Sequence, residues 1–198
     1  MKTLLSAFLL LLMTACSTTY PAVTQYRIAP KESVQTLHRS SCKQHSVKVA
    51  QAFVRSSLMS KKMKYVVGAY QEGVFNQSEW AEDPNRAITD AIVKSLQSSS
   101  LFESVASYRS FSASDYTLES NVAEFTQHFS LDEKSSFVKI DITFRLINNQ
   151  TMQVVAVKHI VKESATKNAD APSGVEALNR LLTQSLREMQ EWIAESCK

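Results

Sequence analysis

Glycine is scarce in this chain: three in 198 residues, at Gly68, Gly73 and Gly174. A loop that cradles phosphate needs several glycines close together, so nucleotide sites of that kind are excluded. Histidine is sparse as well. His38, His45, His128 and His159 are scattered and form no HExxH-type pattern. There is no CxxC and no cysteine–histidine spacing suited to zinc, so no metal or other cofactor is expected. Serine is abundant, yet none sits in a nucleophile elbow. The carboxylates are dispersed, and nothing favours an enzyme. A formal net charge of +3 without a dense basic run gives nucleic acid no footprint. No apolar run reaches the roughly 20 residues that a bilayer-spanning helix requires.

What is present starts at the N-terminus. Lys2 precedes an apolar run over residues 4–15, relieved only by Ser6, and Thr14-Ala15-Cys16 closes it. The length fits the h-region of a signal peptide, with small residues at the cleavage site. The end looks like a bacterial lipobox, with Met13 where leucine is usual. The competing reading is ordinary secretion with an incidental cysteine. On the lipobox reading, Cys16 becomes the first residue and carries a diacylglyceryl group, with a further acyl chain such as palmitate on its amine. Each buried methylene contributes about 0.8 kcal/mol, and two chains suffice for stable anchoring. Ser17, rather than aspartate, follows the cysteine, which favours the outer over the inner membrane. The chain then divides into a cleaved signal peptide (1–15), the lipidated cysteine with a short tether (16–22) and one folded domain (23–198). The tether reaches at most roughly 20–25 Å, so the domain works close to the lipid surface.

Two cysteines remain, Cys42 and Cys197. In an oxidising periplasm they form either a disulfide or two free thiols. A bridge would tie the last helix to the segment before the second strand.

Periodicity supplies the fold. Residues 23–28 and 46–53 read as short strands, and residues 65–75 as a hairpin or a bulged strand. Asp83 and Pro84 open a helix whose stripe is Ile88, Ile92 and Leu96. Tyr116, Leu118, Ser120 and Val122 face one way. In FVKIDITFRLI, Val138, Ile140, Ile142, Phe144 and Leu146 alternate with Lys139, Asp141, Thr143 and Arg145. A polar turn at 148–151 makes residues 137–162 a long antiparallel hairpin, with a bulge expected near Val154 and Val155. Ser173 is the expected cap of a final helix carrying Val175, Leu178, Leu182, Leu186, Met189 and Ile193. This order predicts an α+β domain: a mixed, mostly antiparallel sheet with two helices on one face.

Several segments, taken in order, resemble one family. They are YRI (26–28), VKVA (47–50), MKYV (63–66), SEWAEDP (78–84), LFESV (101–105), DYTLES (115–120) and the late Trp192. Behind a lipobox they resemble the ABC-type transport auxiliary lipoproteins, except that Asp83 stands where that family often has a hydrophobic residue or proline. The resemblance implies a non-enzymatic, lipid-anchored periplasmic subunit of an ABC-type transporter. Such systems move phospholipids or other hydrophobic molecules between bacterial membranes. The implied partner is a mammalian-cell-entry-type component, docked at the membrane. The alternative is a carrier of lipid or outer-membrane components with its own apolar groove. Trp80 has two readings, a core residue or an interface anchor beside Glu82. The wet face of the hairpin (Lys139, Asp141, Arg145) reads as plain solvated surface, the alternative being an outer edge that pairs with a partner strand.

Overall fold

The computed structural model describes residues 22–31 and 41–196. The strands are β1 (Thr24–Tyr26), β2 (Ser46–Val49), β3 (Phe53–Val54), β4 (Lys62–Val67), β5 (Gln71–Trp80), β6 (Ser104–Ser107), β7 (Tyr116–Phe129), β8 (Ser136–Asn148) and β9 (Gln153–Ala165). Helix α1 (Pro84–Ser99) lies between β5 and β6, and helix α2 (Ala171–Ser196) follows β9.

β7 organises the sheet. One of its edges pairs antiparallel with β8 along its whole length. The other edge takes β2, β3 and β4 end to end, all parallel. From β4 the sheet continues antiparallel to β5 and then parallel to β1. β9 closes the far side against β8. The N-terminal strand and the last strand therefore occupy opposite margins.

Both helices cover the same face, as their apolar stripes require. Val138, Ile140, Ile142, Phe144 and Leu146 of β8 are all fully buried, and so are Ile88, Ile92 and Leu96 of α1. The α2 residues Val175, Leu178, Leu182, Leu186, Met189 and Ile193 complete one continuous core. Burying each such side chain contributes about 1.5–3 kcal/mol. Buried polar groups fix how the helices sit. Gln190 Nε2 of α2 donates to Ser95 O and Oγ of α1 at 2.7 and 2.8 Å.

The hairpin alternative for residues 65–75 is present and longer, as β4 and β5, and the other local expectations hold with four differences. β1 is shorter than residues 23–28, because Asn179 and Thr183 of α2 capture the backbone that follows it. The strand expected over 46–53 breaks in two, because Ala52 N donates to Thr89 Oγ1 of α1 at 2.9 Å instead of extending a ladder. Ala52 is thereby turned inward and Gln51 outward. β7 runs on to Phe129 through polar residues, since Gln127 is buried with Nε2 donating to Ser136 Oγ and Asp170 O. The fourth difference concerns the cap of α2. Asp170 Oδ1 accepts the Ser173 N–H at 2.8 Å, so Asp170 holds the capping position and Ser173 lies in the first turn. That backbone bond holds the Asp170 carboxyl below its ordinary range. At α1, Asp83 occupies the N-cap position ahead of Pro84 without a side-chain bond. The expected bulge is present: the β8–β9 register shifts between Leu146 and Ile147, leaving Val155 as the extra residue.

Candidate functional site

Cys16 and Cys197 lie outside the described residues. Cys42 is fully buried, and its Sγ stands 3.8 Å from the carbonyl oxygen of Ile193, in the last turns of α2. Trp80 is 4% exposed and packs on Phe125 with ring centroids 5.9 Å apart. Its ring belongs to the core, which leaves a partner almost none of it to touch. Glu82, two residues on, is exposed and lines a cleft between the helices.

The N-terminal segment is fastened by contacts that no local sequence pattern announces. Asn179 Nδ2 donates to Arg27 O at 3.1 Å, and its Oδ1 accepts the Ala29 N–H at 2.7 Å. Thr183 Oγ1 accepts the Lys31 N–H at 3.0 Å. Asn179 and Thr183 are four apart on α2 and so share one side of the helix. The N-terminal segment is thus held twice, by the β1–β5 ladder at the sheet margin and by this clip on the long helix.

The cleft beside the clip holds about 260 Å³. Its floor is Ile28 and Leu186, while Arg27, Lys31, Lys94 and Arg187 stand around it with Glu82 and Asp90. Its charged rim and small volume differ from the mostly apolar pockets of about 300–1,000 Å³ that hold small-molecule ligands.

One Ser/His/Asp cluster lies at the start of β2. Asp115 Oδ2 accepts from Ser46 N at 2.7 Å and from Ser46 Oγ at 2.8 Å, and His45 Nδ1 is 3.8 Å from the same oxygen. The backbone bond from Ser46 holds the Asp115 carboxyl below its ordinary range. The serine proton points at the carboxylate and the imidazole is not its acceptor, so the arrangement lacks a nucleophile–base pair. It pins the first residues of β2 and β7 together. Among the described residues, no group of three or more His, Cys, Asp or Glu side chains could hold a metal ion.

The open face of the sheet carries ion pairs across its strands. Lys139 reaches Glu124 at 3.6 Å and Glu163 at 3.4 Å. The charge of Glu124, followed by the bond to Glu163, raises the Lys139 ammonium above its ordinary range. His159 Nε2 meets Asp141 Oδ1 at 2.9 Å.

The most informative surface is β9. Its pairing sets Lys158 opposite Phe144 and Lys162 opposite Ile140, so both lysines lie on the helix-covered side. There they meet Glu188 of α2 at 2.9 and 2.8 Å. The bond from Lys162 and then that from Lys158 hold the Glu188 carboxyl below its ordinary range. Val154, Val157 and Val161 face the open side and are exposed, with Val157 at 55%. Among the described residues no strand pairs with the outer edge of β9. Free edges are usually short or guarded by charge. This one is 13 residues long and carries charge at Lys158, Lys162 and Glu163, while its outward face also presents Val154, Val157 and Val161.

The architecture is an α+β module: a mixed sheet with two helices on one face and, among the described residues, an unpaired outer edge at β9. The chain belongs to the ABC-type transport auxiliary lipoprotein family, whose model, described as the ABC-type transport auxiliary lipoprotein component, matches residues 26–190. Its fold is similar to that of protein XCC0632 from Xanthomonas campestris. The two share 19% identity with a TM-score of 0.77, over 88% of this chain and 96% of that one. A second crystal structure, of an uncharacterized protein, shares 18% identity with a TM-score of 0.66, over 87% of this chain and 99% of the other. No curated protein matches the chain.

Proposed function

We propose that the chain is a lipid-anchored periplasmic accessory subunit of an ABC-type transporter that moves phospholipids or other hydrophobic molecules between bacterial membranes. Residues 1–15 are the cleaved signal peptide, Cys16 carries the acyl chains, residues 16–22 form the tether, and residues 23–198 form the docking domain. Ser17 in the second position favours the outer membrane. The observation that carries this reading is the family match across residues 26–190. It is supported by a lipobox directly ahead of that span and by the outward valines of β9. The partner is a mammalian-cell-entry-type component, which adds a strand to the β9 edge and covers Val157 and Val161. Glu82 borders the cleft on the helix side and is a second point of contact. A bridge from Cys42 to Cys197 fastens the end of α2, consistent with the nearness of Cys42 Sγ to Ile193.

The test is gentle detergent extraction of the full chain from native membranes, followed by mass spectrometry. The reading expects an acylated N-terminus at Cys16, together with the ATPase, permease and mammalian-cell-entry components of one transporter. A non-acylated chain, or repeated isolation without any ABC component, overturns it.

A further inference from the structure

The end of the sheet nearest the N-terminal entry carries two hairpin tips side by side. β4 and β7 are parallel, with Val67 opposite Phe129, so the β4–β5 turn and the β7–β8 turn emerge together. Gly68 N donates to Phe129 O at 3.0 Å. Gly68 has φ +58, and a Cβ there would come within 2.7 Å of Leu131 Cδ2. The missing side chain therefore lets Leu131 rest on the neighbouring tip. Two residues beyond Gly68, Tyr70 is 96% exposed, and Leu131 itself is 82% exposed. Beneath them Tyr65 packs on Phe75 at 4.7 Å and on Phe129 at 5.2 Å, which stiffens the base of both turns. A tyrosine and a leucine at the outermost points of a rigid end have no role in the core.

The register of β1 shows which way this end faces. β1 runs parallel to β5, with Thr24 opposite Ser78, so the chain enters β1 from the side of the tips. Eight residues separate Cys16 from Thr24, and eight separate Tyr70 from Ser78. At about 3.3 Å per residue each span is at most about 26 Å. The β4–β5 register shifts between Lys62 and Lys64, so those eight residues of β5 advance less than their full length, and a tether continuing along the sheet margin carries Cys16 at least to the level of Tyr70. To set the opposite end on the lipid, where Phe111 and Met152 are exposed, the chain would have to reverse direction at the start of β1.

We infer that the paired tips, through Tyr70 and Leu131, seat the domain on the lipid leaflet that holds its own acyl anchor. This rests on the proposed acylation of Cys16. Tyrosine suits the headgroup level, where its ring is apolar and its hydroxyl stays wet. The charged neighbours are Glu72, Asp132 and Glu133 against Lys64 and Lys134, so the contact owes nothing to anionic lipid. Held this way, the sheet stands on end, and the β9 margin runs away from the leaflet into the periplasm.

The experiment places an indole at each end of the full-length acylated protein, as Tyr70→Trp and separately Phe111→Trp. Each variant is reconstituted in phosphatidylcholine vesicles with brominated acyl chains. Emission from Trp80 and Trp192 is subtracted using the unaltered protein. The added indole at position 70 should shift to the blue and lose most of its emission, while that at 111 should keep its own. A protein that floats with the vesicles but leaves position 70 unquenched, or quenches only position 111, overturns the seating and leaves the anchor standing. A protein that does not float overturns the anchor and the seating together.

Discussion

β8 and β9 are two arms of one hairpin, each 13 residues long, and their faces are used in opposite ways. β8 buries five apolar side chains completely and turns its charges to water. β9 buries only Ile160, sends Lys158 and Lys162 toward α2, and turns its valines to water. A slip of one residue would have turned the valines inward. The ladder holds them outward by placing Ile160 opposite Ile142. The slip would also bring His159 and Glu163 inward, expel Ile160 and break the pairs of Lys158 and Lys162 with Glu188. The observed register leaves the outward valines open to another surface.

The contrast can be broken most severely in β8. Phe144→Ala should lower stability by about 3–5 kcal/mol in urea unfolding, because it empties a fully buried site. Ile160→Ala removes the one buried apolar side chain of β9 and should cost about 2–3 kcal/mol, the low end expected beside an open margin. A loss equal to that of Phe144→Ala would show that β9 is as much core as β8.

The ion pairs of Glu188 should contribute less, about 0.5–1 kcal/mol on Glu188→Gln, since they are partly wet. Their pH dependence has a definite sign. The folded carboxyl titrates below its ordinary 4.5, so its contribution is complete above that value. It is lost as pH falls through the lower, folded-state value. Denaturation midpoints measured from neutral pH downward should fall less steeply in Glu188→Gln than in the unaltered protein. Smallest of all, Val157→Lys should change stability by no more than about 0.5 kcal/mol, because the side chain is already half in water.

How much of this was legible in the residues varies along the chain for physical reasons. β8 and the stripes of α1 and α2 could be read because their periods are strict and their apolar residues point to one core. The bulge at Val155 was legible from a doubled valine, but the facing of β9 was not. That is decided by which residue stands opposite Ile142, and the hydropathy of β9 alone argues for the reverse. Trp80 was open to two readings because burial depends on Phe125, which is far along the chain. The clip of Asn179 and Thr183 on residues 27–31 spans about 150 positions, and no local pattern announces it. Asp170 and Ser173 are both good caps, and periodicity alone does not show the added residues of helix that make Asp170 the cap.

The central claim is that this is an anchored subunit whose β9 margin receives a transporter component. The most direct measurement is isolation of the full-length chain from native membranes, wild type beside the Val157→Lys, Val161→Lys double variant, with co-isolated proteins identified by mass spectrometry. The account predicts that the wild type brings down a mammalian-cell-entry-type component with its ABC transporter. The double variant, folded and membrane-bound, should bring down neither. Equal recovery by both chains would contradict the role given to β9, and a wild-type chain that brings down no transporter component would contradict the account as a whole.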